Sequence, residues 1–118
     1  MVNTRRTGEL GERIAAAFLA IKGYQIIDTN YRFARREIDL VARDGGAVVA
    51  VEVKLRRGGA CGVAAQAIDR RKLARIEQAL AGMMRDMRLE LAPRVDVVAI
   101  DLDRDGRRMV VEHFRGVY

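Results

Sequence analysis

The sequence predicts an α/β fold, a central mixed β-sheet of about five strands flanked by two main helices in the order α-β-β-β-α-β-β. Three observations predict it. Two segments carry apolar residues at helical spacing, and five carry them in alternation or in short β-branched runs. The Leu55-to-Arg94 connection is long enough to cross over a sheet, so the strands it joins can run parallel with the usual right hand. At 118 residues, with no internal repeat, linker or low-complexity tract, the chain is expected to form one domain spanning 1–118.

The first helix is read from Gly8 to Lys22, where Leu10, Ile14, Ala17, Phe18 and Ile21 form one apolar face. Thr7 is the expected N-cap, Glu9 and Glu12 suit the positive end of the helix dipole, and Gly23 is the expected stop. "YQIIDTNYRF" reads as a first strand with a turn around Asp28 to Asn30. "REIDLVAR" is the second, with Ile38, Leu40 and Ala42 on one face and Glu37, Asp39 and Val41 on the other. Asp44-Gly45-Gly46 is a hairpin signal. "AVVAVEVKL" follows, with Val49, Val51, Val53 and Leu55 on one face and Val48, Ala50, Glu52 and Lys54 on the other. A Gly-rich loop holding Cys61 and Gln66 precedes a helix from about Asp69, its candidate N-cap, to Arg88, buried through Leu73, Ile76, Leu80 and Met84. "RVDVVAIDL" and "RRMVVEHF", joined by a turn at Asp103 to Gly106, complete the sheet. Helices on both sides of the sheet, or both on one, satisfy this order equally.

Composition narrows the function classes. No apolar run approaches ~18 residues, so no spanning helix is expected. The N-terminus lacks the apolar stretch of a secretory signal, and a single cysteine makes no internal disulfide, so a reducing cytoplasm is the expected address. Lysines and arginines number 22 against 16 acids, for a net charge of +6. Four basic clusters carry the excess: Arg5 and Arg6; Arg32, Arg35 and Arg36; Lys54, Arg56 and Arg57; Arg70, Arg71, Lys72 and Arg75. A polyanion such as nucleic acid is the partner such clusters fit, although solvated surface charge produces the same pattern.

The chemistry concentrates in "REIDLVARDGGAVVAVEVKLRRG". Glu52 and Lys54 are two apart and share a strand face. A hairpin centred near Gly45, one of the registers the turn permits, puts Asp39 opposite Glu52 with Cβ atoms about 5 Å apart. Two carboxylates that close repel, and a divalent cation resolves the conflict. Few, hard oxygen ligands with room for water suit Mg²⁺ or Mn²⁺. A lysine beside such a pair fits phosphodiester hydrolysis, orienting water or stabilising charge on the phosphorane. A plain cross-strand ion pair between Lys54, Glu52 and neighbours such as Glu37 is the rival reading.

The Asp, hairpin, Glu-x-Lys pattern resembles the active site of the PD-(D/E)xK nuclease superfamily. More closely, "GELGERIAAAFLAIKGYQIIDTNYR", "EIDLVARDG", "VEVKLR" and "RVDVVAI", in order over almost the whole chain, resemble the YraN-type bacterial family. That family is described as endonuclease-like and related to archaeal Holliday-junction resolvases. The resemblance implies a restriction-endonuclease-like core and a metal-dependent nuclease acting on DNA, with branched structures as one substrate class. Asp39 and Glu52 match its metal-binding acids and Lys54 its catalytic lysine. The Val53 carbonyl is implied as a further metal ligand, Glu12 as an additional metal or water contact, and Gln66 as a helpful polar residue before the second helix. Arg32, Arg35, Arg36, Arg56, Arg57, Arg70, Arg71 and Lys72 would then hold the nucleic-acid backbone. Paired cuts at a junction would call for a homodimer. The alternative is a non-catalytic nucleic-acid-binding module on a nuclease fold. The chain departs from the family at Arg36, where Gly is usual, at Ala50, where an aromatic is usual, and at Val95, where Phe is usual.

Other residues read as structural. Asp96 is expected to hydrogen-bond within the fold, with an arginine as the natural partner, and His113 to lie on the surface. Cys61 lacks a partnering His motif and is not expected to be a nucleophile. Met83, Met84 and Met87 read as packing or a dimer surface, and Tyr31, beside Arg32 and Arg35, as an edge residue able to stack on a base.

Overall fold

The computed structural model describes residues 4–58 and 70–117, with side chains from residue 8 onward. The elements are α1 (Thr4–Ile21), β1 (Gln25–Phe33), β2 (Arg36–Asp44), β3 (Ala47–Arg57), α2 (Arg70–Asp86), β4 (Ala92–Leu102) and β5 (Met109–Phe114). The strands form one sheet in the order β1-β2-β3-β4-β5. Only β3 and β4 pair in parallel, because only they are joined by a connection long enough to cross over.

The helices cover opposite faces. Ala15 and Leu19 of α1 pack with Leu40, Ala42, Val49, Val51, Val98 and Ile100. Ile76, Ala79, Leu80 and Met83 of α2 pack with Ile38, Val41, Val48, Ala50 and Val95. Covered on both sides, β3 and β4 are apolar for most of their length. Fully buried side chains such as Leu19 and Leu40 each contribute about 2 kcal/mol.

Helix ends and strand faces differ from the sequence reading at several points. α1 begins at Thr4, so Thr7 lies inside it rather than capping it; no breaker separates Thr4 from Gly8. At the other end Gly23, at φ 98°, closes the helix as expected, with Tyr24 N bonded to Leu19 O and Gly23 N to Ala20 O. α2 ends at Asp86, short of Arg88, which itself takes the left-handed φ of 52° that terminates the helix. Met83 rather than Met84 is its fully buried methionine, and Met87 is exposed. Asp69, Gln66 and Cys61 lie outside the described residues.

β1 continues through Asp28–Asn30 instead of turning there. Its register with β2 slips between Ile26 and Asp28, and the pairing passes from Thr29–Leu40 to Tyr31–Ile38, with Asn30 at φ 53°. Ile38 therefore packs on the α2 side and not with Leu40 and Ala42. The alternation expected for β2 fails at Asp39, and that is where the candidate site is built.

His113 is not on the surface. Its side chain is 2% exposed, and its Nε2 lies 2.8 Å from Asp96 Oδ2 while Lys22 Nζ approaches Nδ1 at 2.7 Å. Asp96 is fully buried and also accepts hydrogen bonds from Tyr24 Oη (3.0 Å), Arg94 Nε (2.9 Å) and Gly116 N (3.0 Å). Arg94 in turn bonds Asp44 beside the β2–β3 turn. Burial opposes the charge on Asp96, but Arg94, Gly116 and His113 hold its carboxyl below the usual range. Burial and the nearby Asp96 push the Tyr24 hydroxyl up to about 12. The network ties the α1–β1 connection, β4, β5 and the end of β2 together. Asp96→Ala, which strands Arg94 without its buried partner, is expected to cost on the order of 3–5 kcal/mol in urea unfolding, and Tyr24→Phe about 1 kcal/mol.

Candidate functional site

The β2–β3 ladder runs from Asp44–Ala47 to Leu40–Val51 and stops. That register places Asp39 opposite Glu52, the arrangement expected from the hairpin. In place of a further backbone bond, Val53 N donates to the Asp39 carboxylate at 2.8 Å. The charge of Glu52 is felt strongly at the Asp39 carboxyl, so the two acids adjoin. Glu52 is buried, on the α2 face it shares with Lys54. Its Oε1 lies 3.4 Å from Lys54 Nζ and 2.5 Å from Lys72 Nζ of α2.

A cleft of about 830 Å³ opens over this group, lined by Asp39, Glu52, Glu37, Arg35, Arg36, Arg71, Lys72 and Arg75 among others. Arg36 Nε is buried there with no hydrogen-bond partner among the described residues, a donor without an acceptor. Arg35, at φ 69°, makes the tight turn that delivers β2 to the cleft.

Electrostatics at the site run opposite to those around Asp96. Burial, and then the charge of Glu52, push the Asp39 carboxyl up to about 7, against the stabilising Val53 N–H. Burial, and then Lys72 beside it, lower the Lys54 ammonium from its ordinary value, with Glu52 opposing. Burial would also lower Lys72, but its bond to Glu52 outweighs that and raises it. Of the two lysines, Lys54 is thus the one whose charge is weakened.

Glu12 stands on α1, which packs on the other face of the sheet. α1 approaches β3 closely at Gly11, where a methyl group would lie 3.2 Å from Leu55 Cβ. The Glu12 carboxylate accepts a hydrogen bond from Asn30 at 2.9 Å and does not line the cleft. Burial raises its pKa, with Glu37 and Glu9 adding to the effect, and its charge is felt at Asp39. Arg32, Arg56, Arg57 and Arg70 are exposed and lie outside the cleft lining, whereas Arg35, Arg36, Arg71 and Lys72 line it. Gln66 lies outside the described residues. Sequence reasoning missed the Lys72–Glu52 contact and the Asn30–Glu12 bond. Neither has a local signal, since each joins residues from separate elements.

The donor set is all oxygen: two adjoining carboxyl groups with the Val53 backbone beside them. It fits a hard divalent cation that completes its shell with water or substrate. It does not make a closed cage, since no three His, Cys, Asp or Glu side chains cluster in ligand geometry among the described residues. Without a cation the raised Asp39 pKa has a stability consequence. The folded state holds a proton that the unfolded state releases near pH 4, so this contribution favours folding at low pH and is lost as pH rises toward about 7. Asp39→Asn, which keeps an acceptor for Val53 N, is expected to stabilise metal-free protein at pH 8 by on the order of 2 kcal/mol relative to the parent, with the gain vanishing near pH 4 in urea unfolding.

The model of the Uncharacterised protein family UPF0102 matches residues 11–100, a span that includes Glu12, Asp39, Glu52, Lys54 and Lys72. Among relatives, a UPF0102 protein of Symbiobacterium thermophilum is 44% identical over 105 residues, covering 88% of this chain and 89% of the relative. One from Syntrophus aciditrophicus is 42% identical over 92% of this chain and 87% of its own length. One from an Arthrobacter species is 42% identical over 93% of both. With a family model matched over most of its length and relatives 42% and 44% identical over most of both chains, the chain belongs to the UPF0102 family.

Proposed function

We propose that this protein is a Mg²⁺- or Mn²⁺-dependent nuclease that hydrolyses phosphodiester bonds in DNA. The observation that carries the reading is that Asp39 and Glu52, the latter in contact with Lys54, line a cleft whose other charged lining is mostly arginine and lysine. Asp39, Glu52 and the Val53 carbonyl would hold the cation. Once bound, it would supply Lewis acidity to the scissile phosphoryl group and to the attacking water.

The remaining work falls to the chain. Lys54, partly buried and with its charge weakened by burial and by Lys72, is placed to orient a water or to meet negative charge as it builds on the phosphorane. Arg36, with its unpartnered Nε, and Arg71 and Arg75 on α2 supply donors for flanking phosphates. Glu12 supports the site from α1 through its charge. Branched DNA is the substrate form that the likeness to junction resolvases favours, and a two-fold dimer would place two such sites for paired cuts.

One observation favours a second reading, a binding module without catalysis: Lys54 and Lys72 already balance Glu52 with no cation needed. Purified protein incubated with linear, single-stranded and branched DNA in Mg²⁺ or Mn²⁺ separates the two. The nuclease reading expects cleavage, reduced on the order of 10²–10³-fold in both Asp39→Ala and Lys54→Ala. No cleavage of any form, together with salt-sensitive DNA binding indifferent to Mg²⁺ and to Asp39→Asn, would leave the binding module.

A further inference from the structure

Glu52 is gripped from two elements. Lys54 belongs to the same strand, and the period of two keeps it on the same face. Lys72 comes from the first turn of α2 and makes the closer contact, 2.5 Å against 3.4 Å, to the same carboxylate oxygen. Only 6% of the Glu52 side chain is exposed, so these ammonium groups and the Asp39 carboxyl are its immediate electrostatic surroundings, whereas 38% of the Lys72 side chain faces solvent. Lys72 is thus the partner able to leave, since a long flexible stem connects it to an exposed helix turn.

A divalent cation ligated by Glu52 would sit about 2.1 Å from its oxygen. It could not share Oε1 with an ammonium already in contact without placing three positive charges within a few ångströms. The geometry points to Lys72 as an internal counter-ion that holds the cation position at Glu52 until a nucleic-acid phosphate draws it away. The inference rests on the metal reading of Asp39 and Glu52 and adds regulation to it. The competing anion has a seat nearby, because Arg36, Arg71 and Arg75 line the cleft that Lys72 borders. A phosphate held there accepts the Lys72 ammonium and frees Glu52. Cation and nucleic acid then strengthen each other's binding by the same factor.

The test titrates the full chain with Mn²⁺ alone, following free Mn²⁺ by electron paramagnetic resonance and checking the fold by circular dichroism. Lys72→Met is expected to bind Mn²⁺ about tenfold more tightly than the parent, and Arg71→Met, which removes the same charge from the same cleft, less than about threefold. Adding a short DNA duplex should tighten Mn²⁺ binding by the parent about tenfold and leave Lys72→Met nearly unmoved. Equal, measurable Mn²⁺ affinities in parent and Lys72→Met, or equal gains in Lys72→Met and Arg71→Met, would overturn the counter-ion role while leaving the metal site standing. No Mn²⁺ binding by either protein, with or without DNA, would remove the metal reading and this inference with it. Lys72→Gln serves the same comparison if Lys72→Met does not fold.

Discussion

Beyond Leu40–Val51 the backbone of β3 loses β2 as its partner, and the Val53 N–H is taken up by the Asp39 carboxylate. A backbone donor left without an acceptor is destabilising, so Asp39 is bound to this position. The rest of the site follows from that bond. It holds one carboxyl group against another, Glu52, at a point where burial weakens solvation. The repulsion is met by a proton held at Asp39 up to about pH 7 and by two lysines on Glu52. Asn30, in its left-handed conformation on the neighbouring strand, marks the same break and engages Glu12 from the opposite helix.

Asp96 is fully buried, and its contrast with Asp39 separates structural from functional charge. Asp96 receives donors from Tyr24, Arg94, His113 and Gly116 and is held ionised. The contacts from Tyr24, His113 and Gly116 join separate pieces of the fold, and Arg94 carries the link on to Asp44. Asp39 receives one backbone donor and faces a like charge at an open cleft. A satisfied acid stabilises its surroundings, whereas an acid held against its preference is poised to take a cation or give up a proton.

Much of this was legible in the sequence, and the reasons are physical. Element order and the parallel β3–β4 pair follow from periodicity and connection length, both local quantities. The hairpin register was legible because Gly45 and Gly46 limit where the chain can reverse, which brought Asp39 to Glu52. Asp96 as a structural acid bonded to arginine was also foreseen. What could not be read came from contacts between elements distant in sequence. Ile38 packs against α2 because the β1–β2 pairing breaks at Asn30 and Asp39, which no two-residue period reveals. His113 is buried because Asp96, Tyr24 and Phe18 surround it after the sheet has formed. Lys72 read as one of the cations holding a nucleic-acid backbone, and only the packing of α2 brings it onto Glu52.

The central claim is that Asp39 and Glu52 together bind a divalent cation. A crystal structure of the protein soaked or grown with Mn²⁺, with anomalous scattering recorded at the manganese edge, tests it most directly. The account predicts one strong anomalous peak about 2.1 Å from a carboxylate oxygen of each residue, with the Lys72 ammonium withdrawn from Glu52. An ordered cleft with no peak at these oxygens, and Lys72 still on Glu52 at saturating Mn²⁺, would contradict it.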